Sequence, residues 1–159
     1  MAIISTGMGE WKRVAAPDRL QTILGSCIGL VLHDPGLKIA ALAHIMLPVA
    51  DRPDPLQPGK FATTAVPVLV QALLQAGASR ARLRAKLAGG AAMFRIKPMS
   101  GTLLDVGARN IVQVRIVLQD EGIAVLAEHC GGTGGRKMQF DPATGQMLVE
   151  VMGVEKLIL

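Results

Sequence analysis

The chain has 159 residues, half of them hydrophobic but only 3% aromatic, and a formal net charge of +5. That length makes one domain, 1–159, around one core, and the core must be built from Ala, Val, Leu, Ile and Met. Apolar runs such as IAALA (39–43) and VPVLV (66–70) fall far short of the roughly 18 residues that span a bilayer. The opening MAIISTGMGEWK has neither the basic region nor the cleavage site of a secretory signal. Two cysteines, Cys27 and Cys130, are too few for a disulfide scaffold. A cytoplasmic setting, free thiols and no membrane insertion are expected.

In chain order, GEWKRVAAPDRLQTILGSCIGLVLHDP (9–35) predicts two strands about Pro17-Asp18, the second interrupted at Gly25-Ser26. LKIAALAHIMLP predicts a third strand closed by Pro48, joined to the second by a hairpin turn at Asp34-Pro35-Gly36. The polar segment VADRPDPLQPGK, with prolines at 53, 55 and 58, is too long for a simple connector.

KFATTAVPVLVQALLQAGA has Phe61, Ala65, Val68, Ala72 and Leu73 near helical spacing. Gly77 is a natural stop, and Pro67 argues against a start as early as Lys60 unless the helix kinks. ARLRAKLAGGAAMF (81–94) alternates as a strand before Gly89-Gly90. VGARNIVQVRIVLQDEG predicts a second helix ended by Gly122. IAVLAEHCGG is a strand entering a glycine loop, and RKMQFDPATGQMLVEVM (136–152) is a hairpin about residues 141–145. The sum is an α+β fold rich in strands, with no internal repeat.

The basic residues cluster in SRARLRAK (79–86). No aromatic is interleaved there, which argues against a single-stranded nucleic acid partner and leaves a solvated face or an acidic protein surface.

Cysteine catalysis needs a favoured thiolate, a base within reach and donors for the oxyanion. Cys27 follows Gly25-Ser26, and a hairpin centred between 35 and 36 sets it opposite His44. Backbone N–H groups at Ser26 and Cys27 are then candidate oxyanion donors. Each residue alone also reads as packing in an apolar strand, so both readings stand on the residues.

Cys27, His44, His129 and Cys130 would make a zinc-suited set. However, adjacent 129 and 130 point to opposite strand faces and no C-x₂-C pair exists, so no metal is expected. A Cys27–Cys130 disulfide is disfavoured in a reducing compartment. GGTGGRK lacks both phosphate-loop patterns, and turn glycines account for it.

Taken together, LGSC (24–27) with LHDP, AHIMLP (43–48), GKFATTAV (59–66), AKLAGGAAMF (85–94), DVGARNI (105–111) and LAEHCGGTGGRKMQFDPATGQMLV (126–149) resemble the chemoreceptor glutamine deamidases of bacterial chemotaxis, the CheD family. The segments occur in the family's order over nearly the whole chain. The resemblance implies a layered α/β sandwich of mixed, largely antiparallel sheets with helices packed outside, similar to the catalytic domain of deamidating toxins. It implies hydrolysis of glutamine side-chain amides on cytoplasmic helices of methyl-accepting chemotaxis receptors, giving glutamate and ammonia through a cysteine thioester, without a cofactor.

By the same resemblance Cys27 is the nucleophile and His44 the general base and acid, and a CheC-type chemotaxis phosphatase is a further partner of some members. A threonine that orients the histidine commonly lies six residues before the cysteine. Here that position holds Gln21, with Thr22 one residue on. A one-residue shift in a strand reverses the face, so Gln21 is expected to take the role, with Thr22 serving only through a bulge. Arg136 is a candidate for contact with acidic receptor helices. The altered position also leaves room for a non-catalytic adaptor that binds receptors or the phosphatase.

Overall fold

The computed structural model describes residues 1–92, 105–151 and 155–159. Met93 and Phe94, at the end of one expected strand block, and Met152, at the end of the expected hairpin, lie outside the described residues.

Among the described residues, ten strands and two α-helices follow one another in the order β1 (Ile3–Ser5), β2 (Trp11–Ala15), β3 (Arg19–Leu24), β4 (Ile28–Asp34), β5 (Ile39–Ile45), α1 (Ala62–Gln75), β6 (Arg84–Gly89), α2 (Val106–Asp120), β7 (Ala124–Cys130), β8 (Arg136–Asp141), β9 (Gln146–Val151) and β10 (Glu155–Ile158). They form two five-stranded sheets, ordered β1-β3-β8-β9-β10 and β2-β5-β4-β6-β7. Each sheet has one parallel pair, β1 with β3 and β6 with β7, and is otherwise antiparallel. The result is the expected α+β, layered arrangement.

Every residue of β4 and β5 is buried, because these strands lie inside their sheet and are covered on both faces. Alternation divides them. Ile28, Leu30 and Leu32 of β4, with Ile39, Ala41, Ala43 and Ile45 of β5, pack under Ala65, Leu69 and Leu73 of α1 and Val114 and Leu118 of α2. Val31, Ala40 and Leu42 face the other way, against Leu20, Leu24, Met138, Phe140, Met147 and Val149 of the second sheet. The layers are therefore sheet, sheet, helices. Truncating a fully buried leucine here, such as Leu30→Ala, would cost about 2–5 kcal/mol.

Three details differ from the sequence expectations. First, β1 and β10 are short edge strands of three and four residues, too brief to show a period. Second, the β4–β5 hairpin pairs Asp34 with Ile39 and Gly29 with His44, because its loop takes residues 35–38 where a tighter turn was expected. Third, α1 runs through Pro67. That proline is exposed in the second turn, so the helix gives up one backbone hydrogen bond to Thr63 on its solvated side.

Candidate active site

Residues 25–27 carry the chain from β3 in one sheet to β4 in the other. All three carbonyls of this link are tied down on one side. Gly25 C=O accepts from the Ala91 N–H at 3.0 Å and Cys27 C=O from the Gly90 N–H at 2.9 Å. Ser26 C=O accepts from Asn110 Nδ2 at 3.3 Å. The glycine pair after β6 makes this clasp possible. Gly89 has φ +109°, and a Cβ there would lie 2.1 Å from the Cys27 oxygen, so only glycine fits. Among the described residues the N–H groups of Ser26 and Cys27 have no hydrogen-bond partner.

Cys27 packs against the cluster between the sheets. His44 sits on the same side, opposite Gly29 and hence diagonal to Cys27. The expected direct opposition of 27 and 44 is thus replaced by a register two residues away, which preserves the face. Diagonal neighbours on one face are about 7–8 Å apart, and among the described residues no hydrogen bond joins Cys27 Sγ to His44. Gly29 allows the sheets to close here: a Cβ on it would lie 2.7 Å from Met138 Sδ and 3.1 Å from Thr22 Cγ2.

The backbone of His44 is held by two bonds to the segment before β2, its N–H donating to Glu10 C=O and its C=O accepting from the Gly9 N–H, each at 3.0 Å. Its ring Nδ1 is 2.7 Å from Thr22 Oγ1. The Thr22 hydroxyl has one proton and lies 2.8 Å from Thr6 C=O, which can only accept. Thr22 therefore donates to Thr6 and accepts from His44 Nδ1–H. That chain fixes the tautomer and leaves Nε2 as the basic nitrogen.

Burial pushes the His44 value below the ordinary imidazole range, with the Thr6 carbonyl and the Glu10 carboxylate opposing the shift. Burial likewise pushes the Cys27 thiol up, opposed by the Ser26 hydroxyl. Both directions favour the neutral pair at rest. The arrangement suits general-base activation at the moment of attack rather than a standing thiolate–imidazolium pair.

Gln21 does not reach His44. In β3 the side chains of Leu20, Thr22 and Leu24 are buried, the pairing of β3 with β8 is regular from Leu20 to Leu24, and Gln21 turns to the opposite face, where its Nε2 bonds Ser5 Oγ at 3.0 Å. The expected contact is made by Thr22 without a bulge. Arg136 is also not free to meet a partner. It is buried at 5% exposure, and its five N–H groups are directed at His129 Nδ1 and the carbonyls of His129, Gly131 and Gly134. It organises the glycine loop.

The basic cluster is used internally as well. Arg82 forks onto Asp34 at 2.9 Å through Nε and Nη2, Arg80 pairs with Glu121, and Arg84 bonds the carbonyls of Ala81 and Leu83. Cys130 packs toward the helices, on the other face of its sheet from Cys27, so a disulfide between them would have to cross the sheet. Among the described residues no group of His, Cys, Asp and Glu is arranged to hold a metal, and no helix is long and apolar enough to cross a membrane. A groove of about 810 Å³ lined by Trp11, Arg13, Asp18 and Ala76, among others, includes neither Cys27 nor His44. The segment after His44 exposes Val49 and, at 97%, Leu56.

Three contributors escaped the sequence reading. Thr6 acts through a main-chain carbonyl and Glu10 through its backbone and charge, neither of which has a sequence signature. Asn110 did leave one: it is a fully buried polar residue in the inward stripe Gly107, Asn110, Val114, Leu118 of α2.

A family model described as CheD chemotactic sensory transduction matches residues 46–151. Full-length relatives extend the likeness over the cysteine and histidine. A probable chemoreceptor glutamine deamidase CheD of Desulfitobacterium hafniense is 45% identical over 151 residues, covering 94% of each chain. The protein of that name from Geobacillus kaustophilus is 39% identical, over 96% of this chain and 94% of its own. The chemoreceptor glutamine deamidase CheD of Bacillus licheniformis is 40% identical, over 95% of this chain and 91% of its own. With two thirds of the chain matched by the family model and nearly all of it by these relatives, the chain belongs to the CheD family.

Proposed function

We propose that this protein is a chemoreceptor glutamine deamidase, hydrolysing glutamine side-chain amides on chemotaxis receptors to glutamate and ammonia. The observation that carries the reading is the chain Thr6 C=O, Thr22 Oγ1, His44 Nδ1. It presents a neutral histidine base on the face that carries Cys27. The names of the relatives supply the substrate class.

In this reading His44 Nε2 takes the Cys27 proton as sulfur attacks the amide carbon, forming the C–S bond. The developing oxyanion is met by the N–H groups of Ser26 and Cys27. His44 then returns the proton to the amide nitrogen, the C–N bond breaks, and ammonia leaves. Water, deprotonated by His44, opens the thioester and restores the thiol. The Thr22 hydroxyl holds the ring throughout and stabilises the imidazolium through its oxygen.

The finer reading places the substrate glutamines on cytoplasmic receptor helices, with the loop 49–60 as a lip beside His44. A CheC-type phosphatase would compete for that surface. The adaptor alternative rested on the missing threonine, and with Thr22 bonded to His44 that reason falls away. Incubation with a receptor cytoplasmic fragment tests the proposal by mass spectrometry. A one-dalton gain at glutamines, lost in Cys27→Ala, supports it; no gain across several receptors refutes it.

A further inference from the structure

Asn110 is an anomaly of the helix that carries it. Its position faces the core, where leucine or valine would bury more apolar area without a desolvation cost. Yet an amide is present at 0% exposure, and its Oδ1 is buried without a partner among the described residues. Taking an amide out of water carries a desolvation cost that an apolar side chain does not. A buried polar side chain in an apolar stripe is explained by the hydrogen bonds it makes.

Those bonds are visible in the other half of the amide. Nδ2 donates to Ser26 C=O at 3.3 Å and to Met46 C=O at 3.1 Å. One side chain thus joins the residue before Cys27 to the second residue after His44. The amide orientation is set by these two carbonyls, since each can only accept.

A trans peptide is planar, so its C=O and N–H point in opposite directions. The peptide whose carbonyl belongs to Ser26 is the one whose N–H belongs to Cys27. Anchoring the Ser26 carbonyl on α2 therefore aims the Cys27 N–H away from the helix, toward the side of the sheet where Cys27 packs. The neighbouring peptide is fixed in the same manner, Gly25 C=O on the Ala91 N–H, which aims the Ser26 N–H. One oxyanion donor is thus set by the backbone of the glycine turn and the other by a side chain.

The position of α2 is itself held at this point. A Cβ on Gly107 would lie 2.6 Å from the carbonyl oxygens of both Gly90 and Ala91, so the first turn of the helix sits directly on the clasp that holds Cys27. Resting on the deamidase reading above, we infer that Asn110 is a positioning residue for the reaction: by holding the Ser26 carbonyl it presets the Cys27 N–H as an oxyanion donor. It touches no substrate.

The test compares Asn110→Leu, which keeps the branching and heavy-atom count of the side chain without its polar atoms, and Asn110→Ser, which keeps one donor on a shorter arm, with the unmutated protein. Deamidation of a receptor fragment is read alongside alkylation of Cys27 by iodoacetamide, a displacement at carbon that needs the thiolate but no oxyanion donor. The expected result is a fall in kcat on the order of 10²-fold with KM for the receptor fragment and the alkylation rate each within about twofold. Cooperative melting of each variant shows whether it folds, and the serine variant carries the test if the leucine variant does not. Unchanged kcat overturns the inference. So does a parallel fall of kcat and alkylation, the mark of a merely structural role. An unmutated protein that alkylates normally but deamidates nothing overturns the deamidase reading itself and the inference with it.

Discussion

Thr22 Oγ1 and His44 Nδ1 lie 2.7 Å apart, bridging the two sheets of the sandwich where Gly29 lets them close. Thr22 stands on β3 of one sheet and His44 on β5 of the other. The orientation of the His44 ring is therefore set by sheet packing rather than by a local loop.

The first consequence separates two adjacent residues. Thr22→Val keeps the shape and removes the hydroxyl, freeing the ring to rotate or change tautomer. It is expected to lower kcat on the order of 10²-fold. Gln21→Ala, whose side chain reaches only Ser5, is expected to stay within about twofold. Steady-state rates on one receptor fragment check both, and the reverse ranking would restore Gln21 to the role the sequence suggested.

The pH dependence follows from burial. His44 is pushed below the ordinary value of 6.5, and the base must be neutral to act. kcat/KM should thus rise with pH on an acid limb whose midpoint falls below 6.5, and the limb should belong to the free enzyme. Because the Cys27 thiol is pushed up from 9.0, its titration adds no limb through the neutral range. A midpoint above 6.5 would contradict the neutral-pair account.

Stability is tied to a different carboxylate. Asp34, at 0% exposure, accepts from the N–H groups of Gly36, Leu37 and Ser79 and from the Arg82 fork. The Arg82 bonds, chief among these causes, bring its value down to about 2. A folded value below the unfolded one, about 3.9, contributes stability that is complete above that unfolded value and is lost as pH falls toward 2. Asp34→Asn is expected to cost about 2–3 kcal/mol in urea unfolding at neutral pH and to flatten the acid slope between about pH 4 and 2.

Arg136 is expected to behave as a structural residue. Lysine has three donors at one point and cannot reproduce the fork that serves four acceptors. Arg136→Lys should therefore lower the unfolding free energy by about 2 kcal/mol, measured by urea titration. Loss of receptor binding at unchanged stability would instead return Arg136 to the substrate surface.

The sequence made much of this architecture legible, for reasons that can be traced. Runs such as Ile28–Asp34 and Ile39–Ile45 announce strands buried on both faces, and Asp34-Pro35-Gly36 announces the turn between them. The hairpin register came out two residues off because turn residues mark where a chain reverses but not how many residues the loop takes. An even error keeps every side chain on its face, and so Cys27 and His44 still share one.

Gln21 was the odd error. A count of six back from the cysteine selects it, whereas the strand's own alternation of Leu20, Thr22 and Leu24 already turns Thr22 inward. β1 could not be read, since three residues show no period, and with it went the Thr6 carbonyl. Asn110 could have been flagged as the polar member of an apolar helical stripe. What it holds is a carbonyl 84 positions away in the chain, which only the packing of α2 on the Gly90 turn brings near.

In the proposed mechanism a neutral His44, protonated on Nδ1 by its bond to Thr22, is the base for Cys27. The ¹⁵N spectrum of histidine-labelled protein at neutral pH, with His44 assigned by His44→Gln, measures that directly. A protonated Nδ1 and an unprotonated Nε2 are expected, with the pattern lost in Thr22→Val. An imidazolium at His44, or the opposite tautomer with Nε2 protonated, would contradict it.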